Sequence, residues 1–289
     1  MEPDDLFTLK NQLWVGNYQN ALSEGAMLTH LGEAQRRERD VYVLRAQLAL
    51  GQAAQVLQQV PEDAPAALSA VRLWATYVSG AGERELLLLT LREWLADAAS
   101  GQDATLLLVA GLIYAQEGKL SDALSALTRG GGLEHLLHVT RLYLQMERPD
   151  LAQKTVADMR RLEEDSTLTQ LAHAWTLTAQ GGDKADEATL HFQELADRFG
   201  ATPLLLNGAA AAFMALRNFA EAERLLLEAL AKDPQSEDTL VNLIAASAHL
   251  NKPTHQYIAQ LQQVAPSSAW LENYVLLDRG FSDMAATFA

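Results

Sequence analysis

Apolar residues recur along this chain at spacings of three and four almost from end to end, the period of a helix with one buried face. Strand-like alternation bounded by turn residues is scarce. Turn formers interrupt the periodic stretches at Gly51, Pro61 to Pro65, Gly80 to Gly82, Gly101, Gly118, Gly130 to Gly132, Pro149, Gly181-Gly182, Gly200, Pro203, Pro234, Pro253 and Pro266. Proline lacks the N–H a helix interior needs, and glycine takes the left-handed backbone that closes helices. Cut at these points, the chain predicts an all-α fold of roughly 16 or 17 helices, most about 10–17 residues long. In the first 100 residues, helices are expected at about 4–15, 17–30, 37–50, 52–60, 64–79 and 82–99. A last helix near 268–285 is expected to cap the array.

The helices come in pairs that return about every 34 residues. The clearest pair begins at Pro203 and carries Leu206, Ala209, Ala210, Phe213, Ala222, Leu226, Ala229 and Pro234. Those offsets match the tetratricopeptide pattern, in which two antiparallel helices pack through small residues. The small residue of the second helix is sought at Ala21, Ala54, Ala123, Ala152, Ala188 and Ala222. Alanine there lets two helix axes approach closely without losing helix propensity. One such pair cannot bury its apolar face alone, so pairs stack into a solenoid. The expectation is a single, strongly curved tetratricopeptide-like helical-hairpin solenoid over 1–289, divergent over 1–100 and regular over 104–250. Solenoids of this kind bind other proteins far more often than they catalyse reactions.

Composition narrows the partners. The chain of 289 residues has 22 basic and 37 acidic side chains, a net charge of −15. Nucleic acid needs clustered Lys and Arg, and an anionic membrane surface repels such a chain. No stretch is apolar for about 18 residues, so no membrane insertion is expected. There is no cysteine, which removes thiolate metal sites and thiol nucleophiles. The acidic start shows no secretory pattern, and a cytoplasmic protein is the simplest expectation.

Catalytic chemistry is thin. His135 and His138, three residues apart, could share a helix face as metal ligands; Glu134 is the only acid beside them. The alternative is that they face solvent or a neighbouring repeat. Gly130 to Gly132 lacks the preceding strand and the Gly-Lys-Ser/Thr ending of a phosphate loop, and reads as a turn between helices. Glu163-Glu164-Asp165 reads as an acidic lead-in to a helix near Ser166. No nucleophile elbow and no zinc-protease helix occur. No catalytic, metal or cofactor site is therefore expected.

The wall facing a ligand is expected at positions 2, 5, 9 and 12 of each first helix. In three units these are Thr105, Leu108, Leu112 and Ala115; Glu134, Leu137, Arg141 and Leu144; and Leu204, Asn207, Ala211 and Met214. A cochaperone-type carboxylate clamp would need Lys, Arg and Asn there. A mostly apolar wall suits a folded or hairpin-like segment held permanently. The alternative is that these residues pack on each other in a tightly curved array. Gln170, Asn207 and Asn242 recur at matching places and could form an amide ladder that bonds an extended ligand's backbone. Otherwise each bonds its own helix's neighbourhood. The candidate partner-binding residues are Leu108, Leu112, Leu137, Arg141, Leu144, Gln170, Asn207, Met214 and Asn242.

Several stretches resemble one known family. They are Asp5-Leu6-Phe7 with Lys10-Asn11 and Tyr18-Gln19, then Arg39 to Val41 with Arg45-Ala46, and Ala70 to Arg72. Denser stretches are Glu164 to Ala172 with Ala174-Trp175, Phe192 to Asp197, Leu204 to Gly208, and Thr239 to Ile244 with Lys252-Pro253. In order and spacing they resemble the epsilon subunit family of coatomer, densely from about 160 to 255 and patchily from 80 to 160. The resemblance implies a non-enzymatic component of the COPI coat, without cofactors. It implies binding and stabilising of the alpha coat subunit's C-terminal domain, with the array curled around a projecting segment of that partner. It implies service in Golgi-to-ER retrograde and intra-Golgi transport, in the cytoplasm and peripherally on Golgi membranes and coated vesicles. A peptide-binding cochaperone or other scaffold adaptor is the alternative.

Overall fold

The computed structural model describes residues 4–288. Among them are 17 helices and no strand. Fourteen form pairs of chain neighbours: α1 (Phe7–Trp14) with α2 (Tyr18–Met27), α3 (Glu33–Ala49) with α4 (Ala53–Gln59), α5 (Ala66–Ser79) with α6 (Arg84–Ala96), and α7 (Ala104–Gln116) with α8 (Leu120–Gly130). The series continues with α9 (Leu133–Gln145) and α10 (Pro149–Leu162), α13 (Pro203–Ala215) and α14 (Phe219–Lys232), and α15 (Glu237–His249) and α16 (His255–Val264); α11 (Thr167–Gln180) and α12 (Asp183–Phe199) lie between them in the chain. The last helix, α17 (Ala269–Thr287), stands alone.

The six helices expected in the first 100 residues are all present. The largest departure is α3, which starts at Glu33 rather than 37. Gln35 Oε1 accepts from the Gly32 N–H and secures that earlier start. The repeat also extends into the region where the side-chain pattern fails. Each turn after a first helix holds a residue with positive φ: Gly16, Gly51, Gly80, Gly118, Glu147, Gly181 (with Gly182), Arg217 and Asn251. These turns fall 29 to 38 residues apart from the first to the last. Backbone geometry therefore repeats where side chains have diverged.

Three of those turns use a side chain where glycine would be unstrained: Glu147, Arg217 and Asn251, at φ 57°, 60° and 54°. The left-handed region costs a residue with a Cβ about 1–2 kcal/mol, less for asparagine. Glycine relieves that cost but gains entropy in the unfolded chain. Arg217→Gly is expected to stabilise the protein by about 0.5–1 kcal/mol, and Asn251→Gly by less. Thermal unfolding of the two variants side by side checks the ranking.

The helices group into two compact units, one ending at Thr176 and one starting at Leu177. The dividing point lies within α11. In the first unit, first helices pack on first helices (α1 on α3, α3 on α5, α5 on α7, α7 on α9), and second helices back them. The largest core surrounds α7, with Leu106, Leu108, Val109, Ile113, Leu91 and Leu127. The small-residue positions explain the tight pairing. Ala21, Ala123, Ala152, Ala188 and Ala222 are all fully buried. At α4 the reading was one residue off: Ala53 is buried and Ala54 exposed. Two adjacent alanines left the register open there.

In the second unit, α13 packs on α14 and on α15, and α15 on α16. Thr202 and Ser236 cap α13 and α15 by accepting from the N–H of Leu205 and Thr239. The expected terminal helix is present, capped by Ser268. Of its residues only Leu271 is buried.

Candidate inner-face site

The positions singled out in the sequence divide by burial. Leu108 and Leu137 are 2% and 5% exposed and belong to the packing of the first unit. Leu112 is half-buried against the same core. On α9, Leu144 is half-buried and Arg141 exposed. Gln170 Nε2 donates to the Glu164 carbonyl at 3.2 Å, next to the start of its own helix. In the second unit Met214 packs on the core of α13 and α14.

Asn207 and Asn242 meet. Asn242 Nδ2 donates to Asn207 Oδ1 at 3.1 Å. Asn207 Nδ2 donates to the Pro203 carbonyl at 2.9 Å and to Thr239 Oγ1 at 2.7 Å. Thr239 Oγ1 in turn donates to Ser236 Oγ at 2.8 Å. One polar chain thus joins the start of α13 to the start of α15. Asn207 thus serves its own helix end and also its counterpart one repeat on, and all of these bonds lie within the chain.

None of the candidate binding residues lies in the first two pairs, yet a polar cluster forms there against α9. Arg45 of α3 and Glu134 of α9 form a two-pronged ion pair across 89 residues of chain. Their side chains are only 9% and 12% exposed. The Tyr42 ring lies beneath the Arg45 guanidinium at 5.2 Å, and Lys10 Nζ approaches the same ring at 5.7 Å. Trp14 meets Tyr42 edge-on, with centroids 6.3 Å apart. Burial alone would push the Glu134 carboxyl up, but the Arg45 guanidinium holds it below the usual range. Burial keeps His138 neutral and pushes it down to about 4. His135 is buried, its Nε2 2.8 Å from the Ala104 carbonyl. The two histidines thus serve packing between repeats; no group of three metal-binding side chains occurs among the described residues.

Several buried polar atoms in these helices lack a hydrogen-bond partner: Trp14 Nε1, Arg45 Nε, Gln12 Oε1, Gln47 Oε1 and Trp74 Nε1. Native proteins leave few such atoms, because each costs about 1–3 kcal/mol. Trp14 and Arg45 both flank Tyr42, so two unsatisfied donors sit around one ring. These donors are enclosed by the chain's own helices, and the cluster holds no nucleophile poised against a base. In the sequence Glu134 stands at a wall position and Arg45 in a stretch that carries the family resemblance, but nothing there joins the two.

A family model described as the coatomer epsilon subunit matches residues 2–289. Coatomer subunit epsilon-1 of Arabidopsis thaliana is 38% identical over 288 residues, covering 99% of this chain and 98% of that one. The chain belongs to the coatomer epsilon subunit family. Coatomer subunit epsilon-1 of Oryza sativa subsp. japonica is 39% identical, with 96% of each chain covered. The Dictyostelium discoideum subunit is 32% identical over 93% of this chain and 94% of its own. Among solved structures, a tetratricopeptide repeat protein from Parabacteroides merdae superposes with TM-score 0.60 at 14% identity, covering 89% of this chain and 96% of that one. A chain from the crystal structure of the APC/C hetero-tetramer Cut9-Hcn1 superposes with TM-score 0.61 at 13% identity, covering 93% of this chain and 54% of that one. These likenesses show a tetratricopeptide fold. The Arg45–Glu134 cluster and the Asn207–Asn242 pair are features of this epsilon-family chain's own first helices. Among the described residues no helix is long and apolar enough to cross a membrane.

Proposed function

We propose that this chain is a non-catalytic subunit of the COPI vesicle coat that holds and stabilises the C-terminal domain of the alpha coat subunit. It would act in Golgi-to-ER retrograde and intra-Golgi transport, peripheral to Golgi membranes through the coat complex. Family membership supports the coat role. The observation that carries the binding reading is the wall that α7 and α9 leave uncovered, where Leu112 and Leu144 are half-buried and Arg141 is exposed. A partner segment with an apolar face would cover the two leucines and leave the guanidinium free to meet its backbone carbonyls. Leu112, Arg141 and Leu144 form the binding wall in the first unit. Gln170, Met214 and the Asn207–Asn242 pair are proposed as further contacts. A clamp for acidic peptide tails fits less well, because the Arg45 charge is already matched by Glu134.

The test is co-expression with the alpha subunit's C-terminal domain, followed by size-exclusion chromatography with light scattering. A stable one-to-one complex is expected; two separate peaks would undo the reading. Arg141→Glu reverses an exposed charge on the wall. Asn242→Leu removes one amide. Each is expected to weaken the complex about tenfold, the worth of roughly one hydrogen bond; the free chain's urea midpoint should hold in Arg141→Glu and fall in Asn242→Leu, which also loses its bond to Asn207. Leu108→Asp places a charge in the core and is expected to lose fold and binding together.

A further inference from the structure

Helix α17 presents a surface that the chain's own packing does not use. Trp270, Tyr274, Leu277, Phe281, Met284 and Phe288 follow one another at spacings of four, three, four, three and four, the a/d stripe of a heptad. Only the first turn docks: Leu271 is buried, Trp270 and Tyr274 are half-buried and stacked, and the rest project. Leu277 is 72% exposed, Phe281 73%, Met284 63% and Phe288 89%. A terminal cap of a repeat array presents a polar outer face; this helix presents the reverse.

A second observation comes from Gly280, beside the stripe. It lies in the middle of a 19-residue helix. A Cβ built there meets nothing within 4 Å. Mid-helix glycine costs about 1 kcal/mol relative to alanine, and nothing in the chain requires it. A missing side chain next to an apolar seam lets another helix backbone come close.

Charge selects the occupant. The exposed stripe is short, burying on the order of 500 Å² per partner against the ~800 Å² of a standard interface, so electrostatics weighs heavily. Two copies of a chain with net charge −15 repel each other. An anionic membrane is disfavoured for the same reason. Asp278 sits at the position flanking the stripe, where a coiled-coil partner places its own charges.

We infer that α17 is a docking helix for an amphipathic helix of another protein, one whose apolar seam is bordered by Lys or Arg and whose backbone crosses close to Gly280. The site is independent of the inner-face cluster, so either can fail without the other.

The probe is a 21-residue synthetic peptide with Leu at a and d and Lys at the flanking positions, titrated into the full chain and followed by fluorescence anisotropy. Its twin carries Glu in place of Lys. Saturable one-to-one binding of the Lys peptide is expected, at least tenfold tighter than the twin. Phe281→Asp and Gly280→Leu should each weaken it at least tenfold. Gly280→Ala should raise the helix content of the free chain while weakening binding, an opposition that a purely structural glycine would not give. Equal affinity for both peptides, or undiminished binding to Phe281→Asp, overturns the inference. So does concentration-dependent dimerisation through α17 in sedimentation velocity, or binding to phosphatidylserine vesicles that Phe281→Asp abolishes. Those outcomes would make the occupant a second copy or a lipid surface.

Discussion

Glu134→Leu is expected to destabilise the free chain by about 3–5 kcal/mol, because it strands the Arg45 guanidinium without its counter-ion. The Arg45 side chain is 9% exposed, so water cannot replace the lost carboxylate. The double variant Arg45→Met, Glu134→Leu should recover most of that loss, since an apolar pair of similar volume avoids desolvating two charges. Urea unfolding of the wild type, both single variants and the double variant gives the coupling directly. Single-variant losses below about 1 kcal/mol would mean that the pair is solvated and of the surface kind.

The same cluster sets the acid sensitivity. The Glu134 carboxyl is held below its usual range in the folded chain. Its contribution is therefore complete above the unfolded carboxylate value and is lost as pH falls through the lower folded value. His138 is pushed down to about 4 by burial. Between the ordinary histidine value near 6.5 and about 4, the unfolded chain takes up a proton that the folded chain refuses. Stability should thus decline from about pH 6.5 downward, with the Glu134 loss added below. His138→Gln should flatten the upper part of that curve and leave the lower part. A wild-type urea midpoint unchanged between pH 7 and pH 5 would count against a buried neutral His138.

In the second unit the largest single loss is expected at Phe192. Its ring is 1% exposed and lies against Gly208 of α13, where an added Cβ would come within 2.3 Å of the ring. Phe192→Ala removes the ring and leaves a cavity between two closely paired helices, costing about 3–5 kcal/mol. Gly208→Ala alone forces the ring aside and costs about 1–3 kcal/mol. Combined, the two changes should cost less than their sum, because the new methyl occupies space the ring vacated. Hydrogen exchange of α12 to α14 reads the effect within this unit. Strict additivity would mean that the ring and Gly208 do not share one space.

Much of the fold was legible because it is written in local chemistry. The period of Leu206, Ala210 and Phe213, the buried small residues at Ala123, Ala152, Ala188 and Ala222, and the glycines after first helices each act within a few residues of chain. A reader of sequence sees such signals directly. In the first 100 residues side-chain identities diverge, yet the left-handed turns at Gly16 and Gly51 keep the same hairpin. Two adjacent alanines at 53 and 54 show the limit, because the pattern alone could not choose which one faced the partner helix.

The site was less legible. Asn207 and Asn242 are 35 residues apart, one repeat, so their pairing could be anticipated from periodicity. Arg45 and Glu134 are 89 apart and belong to helices that are not consecutive first helices. No repeat arithmetic joins them.

By itself, then, the sequence determined the helices, their pairing, the repeat and the family, since helix formation and nearest-neighbour stacking depend on short-range patterns. The tertiary structure alone decided which wall residues are covered. Leu108 and Leu137 went into the core, while the Trp14, Tyr42 and Arg45 cluster was left with unmet donors. It also decided that α17 keeps its apolar stripe in solvent. Burial and ion pairing depend on which distant helices come into reach, and that follows from the accumulated packing of many units rather than from any one of them.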